Sequence, residues 1–412
     1  MMSKKSPQLR FEGFTDDWEE RKVSEITDFH KQGFYTKESY NENKKYYLLR
    51  GTDMTSNKLI LKDTPKINAS EKDYEDFKVL KDDFLIVRSG TVGTYAIVKS
   101  DITAIFGSYL INFRFNQSIV LNEFFGLFYQ SSLFKSQLNK IIQKSSNVNI
   151  NAENIKSTNI KFPTIEEQQK IGAFFKQLDE TIALHQRKLD LLKEQKKGFL
   201  QKMFPKNGAK VPELRFAGFA DDWEERKLDT IFNKIRNAFV GTATPYYVDA
   251  GHFYLESNNI KNGQINRDTE VFINDEFYNK QTDKLLHTGD IVMVQSGHVG
   301  HTAVIPQELD GTAAHALIMF TDYKEKTDSF FLNYQFQTYK SKIKLDKITT
   351  GNTIKHILSS EMKEFFIDYP SYEEQQKIGS FFKRLDATIA LHQRKLDLLK
   401  EQKKGFLQKM FV

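Results

Sequence analysis

Cysteine is absent from the 412 residues. That excludes disulfides, thiol nucleophiles, iron–sulfur clusters and Cys-ligated zinc together, and makes a cytoplasmic setting the expectation. Long apolar runs are missing too. Stretches such as Phe84 to Val87 and Ala316 to Phe320 fall far short of the roughly 20 residues that cross a bilayer, so no membrane partner is expected. The start, MMSKKSPQLRF, carries lysines without the apolar segment of a secretory leader behind them. Catalytic motifs are equally scarce. Neither a G-x-x-x-x-G-K-[ST] phosphate loop nor a strand-borne G-x-G-x-x-G occurs, and no Asn-Pro-Pro-Tyr or nuclease carboxylate–lysine cluster is found, so the chain reads as non-catalytic and without a cofactor. His298 and His301 are three apart but have no third ligand in sight, and Thr91 and Thr94 stand at their counterparts. No metal is therefore expected.

The chain does carry apolar residues, 39% of the total, with 13% aromatic. It can bury sizeable cores, and its length points to two or three domains. It is also one unit written twice. Residues 9–26 (LRFEGFTDDWEERKVSEI) and 214–231 (LRFAGFADDWEERKLDTI) differ at five of eighteen positions, and residues 162–204 and 369–411 differ at six of 43. Between the near-copies lie two blocks whose sequences have largely diverged. The expected division is a tag at 1–26, a block at 27–161, a helix at 162–204, a linker and second tag at 205–231, a second block at 232–368 and a final helix at 369–412.

The near-identical segments predict long helices with a coiled-coil seam. In the first, Ile171, Phe175, Leu178, Ile182, His185, Leu189 and Leu192 follow steps of four and three; in the second, Ile378, Phe382, Leu385, Ile389, His392, Leu396 and Leu399 repeat them. The two histidines on the seam read as register-setting residues. Pro163 with Thr164-x-x-Glu167, and Pro370 with Ser371-x-x-Glu374, predict capping boxes. Gly198 and Gly405 interrupt the helices and suggest close approach of another backbone or a partner helix. Chain direction implies that the helices pair antiparallel about a pseudo-twofold axis.

The blocks read as mixed α and β. DFLIVRSGTVGTYAIV (83–98) and DIVMVQSGHVGHTAVI (290–305) predict strand, glycine-marked turn, strand, at a common offset of 207. The fold class is thus α+β: two mixed α/β domains joined by a long antiparallel two-helix coiled coil, with a pseudo-twofold internal repeat. The first block holds 19 Lys+Arg against 14 Asp+Glu, the second 14 against 17. Even so, both place lysines at one point of the fold: Lys135, Lys140 and Lys144 in the first, Lys340, Lys342, Lys344, Lys347 and Lys355 in the second. Such strips serve phosphate contact or are the solvated face of an amphipathic helix.

FPTIEEQQKIGAFFKQLDETIALHQRKLDLLKEQKKGFLQKMF and its copy, with the Ser-Gly-x-Val-Gly turn in each block, closely resemble the specificity subunits of type I restriction-modification systems. The resemblance covers essentially the whole chain. It implies that each block is a target recognition domain reading one half of a bipartite, asymmetric site on double-stranded DNA. It further implies that the helices set the gap and bind two methyltransferase subunits, while a separate restriction/translocase subunit supplies cleavage and motor activity. The residues expected at DNA are Arg88, Ser89, Lys135, Lys140, Lys144 and Asn147 in the first block, and Gln295, Ser296, Lys342, Lys347, Asn352 and Lys355 in the second. The alternative is a coiled-coil adaptor that reads no DNA.

Overall fold

The computed structural model describes residues 6–37, 43–55, 57–88, 94–142, 150–351 and 355–411. The chain forms two compact units, Met1–His185 with Lys395–Val412, and Gln186–Arg394. Each holds one diverged block and parts of both long helices, Ile165–Lys202 and Tyr372–Lys409.

In the first unit, strands β1 (Glu19–Lys22) and β6 (Asn159–Phe162) pair antiparallel, Glu19 opposite Phe162 and Lys22 opposite Asn159. The tag and the end of the block thus close on each other. The main sheet has the antiparallel order β2 (Thr27–Gln32), β5 (Leu110–Phe115), β3 (Phe84–Val87), β4 (Tyr95–Ile97). Strand β3 is FLIV, buried at every position, because the sheet is covered on both faces. Side chains alternate along a strand. Phe84 and Ile86 therefore enter one core with Trp18, Phe124 and Phe175, whereas Leu85 and Val87 enter a second with Leu49, Phe106 and Leu110. Two short helices, α1 (Asn122–Gln130) and α2 (Ser132–Ile142), follow the sheet.

The second unit repeats this plan. Strands β7 (Glu224–Lys227) and β12 (Phe366–Tyr369) pair, and the main sheet runs β8 (Phe232–Asn237), β11 (Leu317–Tyr323), β9 (Ile291–Val294), β10 (Thr302–Val304). Ile291 and Met293 face one core, Val292 and Val294 the other. Helices α3 (Ser329–Phe336) and α4 (Tyr339–Ile348) follow.

The long helices meet antiparallel inside each unit. In the first, Phe174 packs edge-on against Phe406 at 5.1 Å and Lys403 reaches Asp179 at 2.6 Å. In the second, Phe199 packs against Phe381 at 5.0 Å and Lys196 reaches Asp386 at 2.7 Å.

The helix starts depart from the capping-box expectation. The Thr164 and Ser371 hydroxyls do accept the backbone N–H of Glu167 and Glu374. The glutamate carboxylates, however, do not reach back to the caps. Glu167 is buried and takes two hydrogen bonds from Arg10, at 2.8 and 2.7 Å. Glu374 takes two from Arg215, at 2.7 and 2.8 Å. A tag arginine supplies a full countercharge to a carboxylate that would otherwise be buried alone, which outweighs a single backbone N–H. No backbone of the chain closes on Gly198 or Gly405: a Cβ at either would meet nothing within 4 Å among the described residues.

Candidate nucleic-acid interface

Each main sheet ends on the same construction. Leaving β3, the Arg88 carbonyl accepts the N–H of Ile150 at 2.9 Å; leaving β9, the Gln295 carbonyl accepts that of Ile357 at 3.0 Å. Both pairs sit 207 residues apart. A backbone bond in each unit thus ties the strand end to the segment beyond the lysine-bearing helix, while the side chains presented there differ.

In the first unit the Arg88 N–H donates to the Tyr109 carbonyl at 3.0 Å, and Gly33 N–H donates to Leu110 at 2.9 Å. This brings Tyr35, Arg88 and Tyr109 to one end of the sheet. Tyr35 is 69% exposed and Tyr109 67% exposed. The half-buried Arg88 guanidinium makes no hydrogen bond or ion pair with the described residues. Ser89, Lys144 and Asn147 lie outside the described residues, as does the Gly90–Gly93 turn. Sequence reasoning missed Tyr35 and Tyr109; the available signal was an aromatic close behind a glycine, in QGFY and FGSY.

In the second unit Gln295, Ser296 and Lys355 come together. Gly297 N–H donates to the Lys355 carbonyl at 3.2 Å, and Ser296 bridges His356. The Gln295 side-chain oxygen is buried with no hydrogen-bond partner among the described residues. Lys355 is exposed, 3.4 Å from Asp346. Asn352 lies outside the described residues.

The lysines of the helices do not form one strip. Lys135 and Lys140 are exposed on α2, and the opposite face buries Phe134 and Leu138. On α4, Lys340 pairs with Asp368 at 2.6 Å and Lys344 with Glu225 at 3.0 Å, so both are neutralised against the β7–β12 ribbon. Lys347 lines a groove on that side with Phe365 and Phe366, whereas Lys342 faces a different cleft with Gly300 and His301. A helix repeats every 3.6 residues, so positions 340, 344 and 347 share a face that 342 does not.

That second cleft, about 680 Å³ in volume, is walled by Lys193, Lys196 and Lys197 of the first long helix, the Asn262–Gln264 turn, the Gly300–His301 turn and α4. Its walls are tied together. Asn333 donates to the Gly263 carbonyl at 2.8 Å, and the Asp386 carboxylate accepts from Lys196 at 2.9 Å and from the Tyr334 hydroxyl at 2.9 Å. Burial first, then His298 and Lys342, hold His301 below the ordinary histidine range.

Along the proposed seam, Ile171, Phe175, Leu189, Leu192, Ile378, Phe382, Leu396 and Leu399 are buried. Leu178, Ile182, His185, Leu385, Ile389 and His392 are half-buried. Leu184, Leu191, Leu391 and Leu398, off the seam, are exposed. Among the described residues no group of three or more His, Asp or Glu is placed to hold a metal ion, and no helix is long and apolar enough to cross a membrane.

A family model described as the type I restriction modification DNA specificity domain matches residues 15–194 and again 220–401. A Methanocaldococcus jannaschii protein, provisionally named the type I restriction enzyme MjaX specificity subunit, is 23% identical over 408 residues, 95% of this chain and 92% of that one. The MjaVIII specificity subunit of the same organism is 23% identical over 68% of each chain. The crystal structure of a type I restriction-modification S subunit from M. genitalium matches at a TM-score of 0.62 over 99% of both chains, with 16% identity. A chain from a study of type I complex assembly and conformational transition matches at 0.57 over 95% of this chain, with 17% identity. At those identities the two structures bear on the fold alone.

Proposed function

The chain belongs to the type I restriction-modification DNA specificity family, and we propose that it reads two different half-sites, one with each diverged block. It acts as a non-catalytic subunit whose long helices set the gap between the half-sites and seat two methyltransferase subunits. Cleavage and translocation fall to restriction subunits that join through the complex, in the cytoplasm. Methyl transfer belongs to the methyltransferases.

The observation that carries this reading is the matched pair of strand ends. The backbone bonds Ile150 to Arg88 and Ile357 to Gln295 are the same, yet one end presents an arginine beside the exposed Tyr109 and the other a glutamine and serine beside a lysine and a histidine. Arginine pairs with guanine and glutamine with adenine on major-groove edges. One scaffold bearing two such sets reads two sequences. The exposed leucines support the partner assignment in the same way. Leu184 and Leu191 recur as Leu391 and Leu398, and two equal apolar surfaces take two copies of one partner. A plain coiled-coil adaptor would need the leucines but not the diverged strand ends. Mapping methylated adenines in cells that express this chain with its methyltransferase tests the proposal: a single bipartite motif with unlike halves and a constant gap is expected, and a palindromic motif or none would refute it.

A further inference from the structure

The cleft walled by the first long helix and α4 in residues 186–394 is unlike a structural contact, because its charge is left over. Lys196 is neutralised by Asp386, the one acidic residue in the lining. Lys193 and Lys342 are exposed and make no ion pair with the described residues, and Lys197 has only the surface Glu194 at 4.0 Å. Like charges gathered on one concave face repel, and an anion bound there relieves that repulsion. His301 adds a buried Nδ1 with no hydrogen-bond partner among the described residues.

We infer that this cleft grips phosphodiesters of duplex DNA, so that the near-identical helices add sequence-independent backbone contacts beside each reading surface. This rests on the DNA-reading function above and extends it, since the helices there only separate the domains and hold partners. Three observations favour DNA. Lys193 and Lys197 lie one helical turn apart on one face, a spacing suited to successive phosphates. The Gly300–His301 turn continues directly from Gln295 and Ser296, so backbone grip and base reading sit on one loop. Finally, the other unit carries exposed Lys400 and Lys404 on its helix and exposed Lys135 on α2 at the equivalent positions, although Thr94 replaces His301 there. A protein docking on the near-identical helices would require the helix lysines alone. A lysine kept in both diverged blocks points to a ligand that both blocks share, which is the phosphate backbone.

The test uses the full chain assembled with its methyltransferase subunits. Binding to two unrelated duplexes is measured by fluorescence anisotropy between about 50 and 200 mM salt, for the parent, the Lys193→Gln/Lys197→Gln variant and the Lys342→Gln variant. Both variants are expected to lose affinity by the same factor on both duplexes, and the slope of log K against log salt should flatten by about 1 for each contact removed. An unchanged affinity and slope would overturn the inference. So would failure of the variants to assemble, seen by size exclusion, with normal binding by whatever complex does form, since the cleft would then face a protein. Selection from a random duplex pool with the parent complex tests the underlying reading separately: absence of any enriched sequence would refute specificity while leaving the salt slopes to stand or fall by themselves.

Discussion

Arg10 holds the buried carboxylate of Glu167 through two parallel hydrogen bonds, and Arg215 holds Glu374 in the same way. The LRF tag is therefore a countercharge delivered to the start of each long helix, and it locks tag, block and helix into one body. Removing one partner strands a buried charge. Arg10→Ala should destabilise the first unit by about 3 kcal/mol, seen as a lower midpoint in denaturant unfolding.

The two tags are not energetically equal. The Trp223 indole N–H donates to Glu374 at 3.1 Å, whereas the buried Trp18 N–H has no partner among the described residues. Trp223→Phe should therefore cost about 1 kcal/mol more than Trp18→Phe, measured in the same unfolding experiment.

Asp83 and Asp290 occupy equivalent places with different surroundings. Asp83 accepts from Arg114 at 2.6 Å and from Asn112 at 2.5 Å. Thr321 and Met319 stand at the corresponding positions of the second block, and burial pushes Asp290 up to about 6. Its folded value lies above the ordinary carboxylate value of about 4, so the folded state binds the proton more tightly. Its contribution to stability is complete below about pH 4 and is lost as pH rises through 6. Asp290→Asn should therefore stabilise the chain relative to the parent at pH 7 but not at pH 4, read as the difference in melting temperature.

Tyr109 and Arg88 belong to the proposed reading surface of the first block, which would serve one half-site only. Arg88→Ala and Tyr109→Ala should relax base preference in one half of the recognised sequence, by about 1–3 kcal/mol of discrimination for the arginine, and leave the other half unaltered. Gln295→Ala should do the converse. Sequencing of bound duplexes selected from a random pool gives both preferences at once.

Leu184 and Leu391 are 65% and 66% exposed at equivalent helix positions. Leu184→Asp should release one methyltransferase copy and leave the other bound. The double change with Leu391→Asp should release both, as native mass spectrometry of the assembly would record.

The repeat, the long helices and the paired strands were legible because they rest on periodicity and internal copying, which sequence displays directly. What stayed hidden depends on contacts distant in sequence. The Glu of T-x-x-E looked like a cap because Arg10 lies 157 residues away. Lys340 and Lys344 looked free because Asp368 and Glu225 come from another ribbon. Gly198 suggested another backbone or a partner helix close by, and no group of the described residues approaches it within 4 Å. Tyr35 and Tyr109 drew no attention, since exposure follows from the sheet end rather than from residue type.

In the proposed function the two blocks read independently across a gap fixed by the helices. Methylation mapping after replacement of residues 27–161 by another such block tests it directly. One half-site should change while the other half and the gap stay as they were; a change in both halves, or in the gap, would show that the blocks do not read independently.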